Sequence, residues 1–327
     1  MRLVRYSRRQ EPAALARIGL LVAPDLVADL KAGYALYLVD EVENPKGRDV
    51  AAIYMPPYIA QFLHAGEPAW LALADAYTYL SALARTNPVA EGLEGEQIFL
   101  PLTECRLYEP VRPSKLIAAG RNYPEYMRHR GGQGGKVPTA VLKTVSSLIG
   151  PGRDVVKPLG VSELDCETEL AIVIGRKCKN VPEEDAYGVV AGYTIVNDVT
   201  ARDVGRLERE GGNLFLAKTY DTFCPMGPWL TTRDGIPDPM HLAIRTRVNG
   251  ELRQSGNTKD MIWPIPKLIA YFSQVTLLPG DVISTGSPGG GGLVNPAWYL
   301  QAGDVIESEI EGIGILKNAV VDEPRSV

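Results

Sequence analysis

Glycine and proline interrupt this 327-residue chain so often, 33 and 25 times, that short strands and many turns fit it better than long helices. The restriction sharpens after a proline-rich joint, Glu109-Pro110-Val111-Arg112-Pro113. Beyond it come short β-branched runs at 115–119, 140–143, 168–174, 189–197 and 241–248, each bounded by turn residues. Near the end, Gly280-Asp281-Val282-Ile283 and Gly303-Asp304-Val305-Ile306 repeat one turn-and-strand pattern. The pattern predicts an α+β fold, mostly β, with residues 111–327 forming a domain built on a mixed β-roll or barrel. Gly289 to Gly292 reads as a loop whose backbone must approach something closely.

Residues 1–110 read differently, as a smaller N-terminal α/β domain, and the length of the chain also favours two units over one core. Ile59, Phe62 and Leu63 suggest one helix, and Leu71, Leu73, Ala76, Tyr77 and Leu80 a second, with Gly66-Glu67-Pro68 as the turn between them. His64 is given no chemical role.

Composition excludes several function classes. With 45% hydrophobic and 22% charged residues and a net charge of -5, nothing points to nucleic acid or an anionic membrane surface. No run reaches the roughly 18 apolar residues of a membrane span. The four cysteines have no C-x-x-C spacing and the three histidines are scattered, so a zinc motif is not expected and a reduced, cytoplasmic protein is.

Carboxylate chemistry remains. Glu167 and Glu169 lead into an apolar strand, and side chains two apart on a strand share a face, about 7 Å apart along its axis. Two such oxygens suit a hard cation such as Mg²⁺, although the pair alone fits a solvated acidic edge better. Asp198, at the end of the run Val190 to Val196, is a third candidate ligand.

Four blocks carry a family resemblance: the paired glutamates before Leu-Ala-Ile-Val-Ile-Gly; Asn197-Asp198-Val199-Thr200-Ala201-Arg202-Asp203; Ala217-Lys218-Thr219-Tyr220-Asp221-Thr222-Phe223-Cys224-Pro225; and Val248 to Gly256. In this order they resemble the fumarylacetoacetate hydrolase superfamily, in its bacterial branch acting on 2-oxo acids, from about Lys115 to Val320. The resemblance implies that Glu167, Glu169 and Asp198 ligate Mg²⁺ or Mn²⁺ and that Lys218 lies beside the ion. It further implies that Arg121, Asn122, Lys143, Thr285, Gly286 and Ser287 face a small 2-oxo acid substrate, and that the chain forms a homodimer. Arg202 and Asp203 are expected to lock their turn through an ion pair.

One departure bears on the reaction. Hydrolytic relatives carry a water-activating histidine and glutamate where this chain has Tyr126 and His129. Three readings follow. His129 or Glu125 substitutes as base for carbon–carbon hydrolysis of an acylpyruvate-type or 1,3-diketo acid; or the metal enolate and a proton donor such as Tyr126 suffice for decarboxylation of an oxaloacetate-type acid or for dehydration; or the chain is a non-catalytic ligand-binding protein. The glycine-rich stretch from Gly131 to Gly135 is expected to cover the site as a lid.

Overall fold

A computed structural model describes residues 1–130 and 135–324. Its centre is the antiparallel pair Thr168–Ile174 and Val190–Asn197, both buried along their whole length, as strands covered on two faces are. Alternation decides which face each side chain serves. Leu170, Ile172 and Ile174 enter a core with Ile244, Ile310 and Leu316, whereas Ala171 and Val173 enter another with Leu3, Leu30 and Leu80.

Among the described residues this pair lies within a sheet of twelve strands. To one side follow Val282–Ser284, Leu116–Gly120 and the edge strand Thr139–Lys143. To the other lie Cys224–Thr232 and then Arg2–Arg8, Arg17–Ala23, Leu26–Asp29 and Phe99–Pro101. The sheet thus crosses the proline-rich joint, with Leu3 opposite Leu230. A five-stranded sheet, Glu251–Asn257, Ala243–Val248, Val305–Ile310, Gly314–Asp322 and Val155–Lys157, covers the Leu170 face. The large sheet ends in two separate edges, Phe99–Pro101 and Thr139–Lys143, so it does not close into a barrel.

The helices expected near the N-terminus are Ile59–His64 and Glu67–Thr86, separated by Gly66 at φ 71° with Pro68 in the first turn. Leu73, Ala76 and Leu80 form its buried stripe at i, i+3 and i+7, while Leu71 and Tyr77 face solvent. Both Gly-Asp-Val-Ile turns place glycine at positive φ, 87° and 94°, and in both the aspartate accepts from the backbone N–H three residues earlier. The strands that follow join different sheets.

The close approach expected of Gly289 to Gly292 is present: a Cβ on Gly290 would lie 2.7 Å from the Arg253 carbonyl oxygen, and Gly292 N–H donates to Asp165 at 2.9 Å. The lid expected from Gly131 falls on 131–134, outside the described residues. No helix among the described residues is long and apolar enough to cross a membrane.

Candidate active site

The strand pairing that buries the core also assembles the acidic cluster. Thr168 lies opposite Asn197, so the next residue, Asp198, comes beside Glu167, and its N–H donates to the Glu167 carbonyl at 2.8 Å. Asn197 Oδ1 accepts from Glu167 N–H at 2.9 Å and fixes the same corner. Ligand oxygens of Glu167, Glu169 and Asp198 all lie within 4.8 Å of one another, and all three residues are buried.

Three cations meet this cluster. Lys143 Nζ donates to Asp198 Oδ1 at 2.5 Å. Lys218 Nζ donates to Glu167 Oε2 at 2.5 Å and to Asp198 Oδ2. Arg202, from the helix Arg202–Glu210, donates to Glu167 Oε1 at 2.6 Å and to Asp165 Oδ2 at 3.0 Å, and its Nη1 reaches the Tyr126 hydroxyl at 3.2 Å. Arg202 therefore does not pair with Asp203, as the sequence suggested. Asp203 instead accepts from Ser162 and Glu163 and ties the turn to the preceding loop. The reason is direction: Arg202 opens a helix whose first residue faces inward, while Asp203 faces the surface loop.

Glu169 differs from its neighbours. Its Oε2 accepts from Ser284 Oγ at 2.5 Å and Gly286 N–H at 3.0 Å, both neutral donors. Burial, with Asp198 and Glu167 close by, pushes its carboxyl well above the usual carboxylate range. Burial opposes ionisation of Glu167 too, but there Arg202 and Lys218 outweigh it and hold the carboxyl below its ordinary range. For Lys218 the charges of Asp198 and Glu167 likewise outweigh burial and keep the ammonium protonated. Lys143, Lys218 and Arg202 form ion pairs with Asp165, Glu167 and Asp198, whereas Glu169 has no cationic partner in an ion pair. Three convergent hard oxygens, one of them on an acid that a bound cation would favour in its ionised form, fit a divalent metal ion.

The cluster floors a cavity of about 590 Å³. Arg121, Tyr126, Lys218, Gly286 and Ser287 line it together with the triad. Arg121 stands in the left-handed region at φ 57°, an uncommon conformation for arginine, at the end of the strand Leu116–Gly120. Asn122 and Thr285 do not line the cavity: Asn122 Nδ2 donates to the carbonyls of Thr285 and Trp263, and Thr285 Oγ1 donates to that of Leu170. They hold the Arg121 and Gly286 turns together. His129 is exposed, Glu125 packs against Gly289, and neither lines the cavity.

The sequence model of the family described as fumarylacetoacetate (FAA) hydrolase, C-terminal, matches residues 115–321. This chain belongs to the fumarylacetoacetate hydrolase family. Mitochondrial oxaloacetate tautomerase of Homo sapiens is 43% identical over 270 residues, covering 82% of this chain and 81% of the relative. Maleylpyruvate hydrolase of Sphingobium sp. SYK-6, solved with manganese(II) and pyruvate, is 31% identical with a TM-score of 0.71, covering 99% of this chain and all of that one. 5-Carboxymethyl-2-hydroxymuconate delta-isomerase of Mycobacterium smegmatis is 40% identical with a TM-score of 0.62, covering 72% of this chain and 90% of that one.

Sequence reasoning missed four residues at the site of this family member. Asp165 ends the separate short strand Leu164–Asp165, two residues before Glu167, and reaches the site through Arg202. Arg202 was read as a turn lock. Glu208 accepts from the N–H groups of Phe215, Leu216 and Ala217 at 2.7–3.1 Å and so caps the short helix Leu216–Thr219 that carries Lys218. Arg209 lines the cavity from the same helix as Arg202. No local pattern marks Glu208, because its partners lie across a turn.

Proposed function

We propose that the chain is a divalent-metal-dependent enzyme that stabilises the enolate of a small 2-oxo acid and moves a proton at the carbon next to the keto group, without activating water. The supporting observation is the cavity's membership: it holds the acidic triad, Lys218 and Tyr126, and neither His129 nor Glu125. Keto–enol tautomerisation is the simplest outcome, and decarboxylation of the keto form, in which carbon dioxide leaves and the bonding electrons form the enolate of the shorter acid, is the other reaction the same charge stabilisation serves.

In this reading Glu167, Glu169 and Asp198 hold Mg²⁺ or Mn²⁺, whose Lewis acidity favours the enolate of a 2-oxo acid. Lys218 places positive charge where the enolate oxygen gathers negative charge. Tyr126, its hydroxyl held by Arg202, delivers the proton to carbon as general acid. Arg121 forks onto a substrate carboxylate. The name of the human relative supports tautomerisation. That of the Sphingobium relative favours a second reading, carbon–carbon hydrolysis with His129 or Glu125 brought in when substrate binds.

One assay separates them. Oxaloacetate enol loss, carbon dioxide release and acylpyruvate cleavage are followed with Mn²⁺ and with chelator. Metal-dependent enol loss or carbon dioxide release without cleavage supports the first reading, and cleavage supports the second. If all three channels match the protein-free solution, both readings fall.

Homodimerisation and cytoplasmic residence belong to the same proposal. Exposed Leu142 on the edge strand, with Val145, Phe215 and Leu216 exposed as well, supports self-association, which sedimentation measures directly. The four unpaired cysteines fit a reducing compartment.

A further inference from the structure

Of the four sequence blocks that carry the family resemblance, Val248 to Gly256 is the one that contributes no residue to the cavity wall. Its buried polar side chain is Gln254, on the strand Glu251–Asn257 of the five-stranded sheet. Gln254 Oε1 accepts from Thr168 N–H at 3.1 Å and from Thr246 Oγ1 at 2.5 Å, and its Nε2 donates to the Pro288 carbonyl at 2.8 Å. Turning the amide over would set its NH2 against the Thr168 N–H and its oxygen against the Pro288 carbonyl, so these partners fix its orientation.

The two backbone partners belong to the metal site. Thr168 stands between Glu167 and Glu169, and Pro288 follows Gly286 and Ser287, which line the cavity. Gly286 N–H in turn donates to Glu169 Oε2 at 3.0 Å. A closed circuit results, from Thr168 to the Glu169 carboxylate, across to Gly286, along the chain to Pro288, and back through the Gln254 amide. Glu169 has no ion pair to hold it, only Gly286 N–H and the Ser284 hydroxyl, so the place of its carboxylate follows the place of this loop.

The circuit has little slack. A Cβ on Gly256 would lie 2.5 Å from Pro288 Cβ, and one on Gly290 would lie 2.9 Å from Gln254 Cβ, so the strand Glu251–Asn257 lies directly against the loop. Gln254 itself is anchored through hydroxyl groups: Thr246 Oγ1 is 2.6 Å from Thr168 Oγ1, which is 2.7 Å from Ser308 Oγ on the strand Val305–Ile310. Buried, fully satisfied networks of this kind hold one arrangement.

We infer that Gln254 is a positioning residue for the metal site: its amide fixes the Gly286 loop against the ligand strand and thereby sets where Glu169 offers its carboxylate to a cation. The inference rests on the reading of the triad as a metal site. Gln254 touches neither the triad carboxylates nor the cavity, and acts on the ion through the partners that orient a ligand.

Mn²⁺ affinity, read by electron paramagnetic resonance on the full chain, tests it without turnover. Gln254→Met keeps the length of the side chain and removes the amide, and Mn²⁺ should bind about tenfold or more weakly, the usual cost of losing a partner that orients a ligand. Gly256→Ala leaves the amide in place and pushes on Pro288 instead; it should weaken Mn²⁺ binding too, and it decides the question in place of Gln254→Met if that variant does not fold. Ser308→Ala is the control, because it removes a hydroxyl from the same buried network outside the circuit. It should lower the urea midpoint in chelator and leave Mn²⁺ affinity within about twofold of the parent. A folded Gln254→Met chain that binds Mn²⁺ as the parent does, or a Ser308→Ala chain that loses as much affinity, makes Gln254 merely structural and overturns the inference while the metal reading stands. A parent chain that binds no Mn²⁺ overturns that reading, and this one with it.

Discussion

Lys143 and Asp198 form a fully buried ion pair, Nζ to Oδ1 at 2.5 Å, while Lys218 takes the other oxygen of the same carboxylate. Both oxygens of one expected metal ligand are thus held by ammonium groups, and a bound cation must share Asp198 with them. Removing one partner of a buried pair strands the other's charge, at about 3 kcal/mol of stability. Lys143→Met should show a loss of that order in urea unfolding with chelator present. It should also tighten Mn²⁺ binding, because a competing positive charge is gone, and saturating Mn²⁺ should recover part of the lost stability. An equal loss with and without Mn²⁺ would mean that no cation reaches Asp198.

Glu169 predicts the opposite balance. It carries no cationic partner and sits beside two other carboxylates, so in the metal-free chain its ionised form is disfavoured and folding costs the uptake of a proton. Glu169→Gln keeps an acceptor for Ser284 and Gly286 and removes the ionisable group. The variant should unfold in chelator no more easily than the parent, and with a gain of about 1 kcal/mol if repulsion dominates. Its Mn²⁺ binding, read by electron paramagnetic resonance, and its metal-dependent turnover should both be abolished. Retained turnover would remove the triad from the mechanism.

How much of this was legible in the sequence follows from the range over which each contact acts. Glu167 and Glu169 were found by strand alternation, a rule that operates over two residues, and Asp198 by its place at the end of an apolar run. The short strands were legible because glycine and proline bound them, and Thr168–Ile174 emerged with the expected ends. The open edges of the large sheet were not, because closure depends on which distant strands pair, and here Arg2–Arg8 adds to Cys224–Thr232 more than 200 residues away. Asn122 and Thr285 belong to the right turns, yet their side chains are consumed by backbone partners. Arg202 joins Glu167 across 35 residues, a pairing that no local spacing encodes.

Tyr126 and Arg202 give a prediction about chemistry alone. The tyrosine hydroxyl accepts from Arg202 Nη1 at 3.2 Å and lines the cavity, so Tyr126→Phe removes a proton donor with little change of shape. Turnover should fall by about 10²- to 10⁴-fold, the usual range for loss of a general acid, with Mn²⁺ affinity and stability nearly unchanged. Arg202→Lys cannot reproduce the fork to Asp165, Glu167 and Tyr126, so it should lower turnover and stability together. Comparing kcat with the urea midpoint of each variant separates the two. A Tyr126→Phe enzyme within about twofold of the parent assigns the proton to another group.

The last prediction concerns Glu208, which touches neither the triad nor Lys218 itself. Its carboxylate accepts three backbone N–H groups at the start of Leu216–Thr219, at 3.1, 2.7 and 3.1 Å, and those groups have no partner within so short a helix. The residue therefore sets the angle at which Lys218 enters the site. Glu208→Ala should cost about 1–2 kcal/mol of stability, as loss of a helix cap does. If the cap positions the lysine, kcat should also fall by about tenfold at saturating substrate and metal, and Glu208→Asp should recover more of it than Glu208→Gln, because the charge at the helix start is retained. A merely structural cap would lower the unfolding midpoint of Glu208→Ala and leave kcat of the folded enzyme where it was.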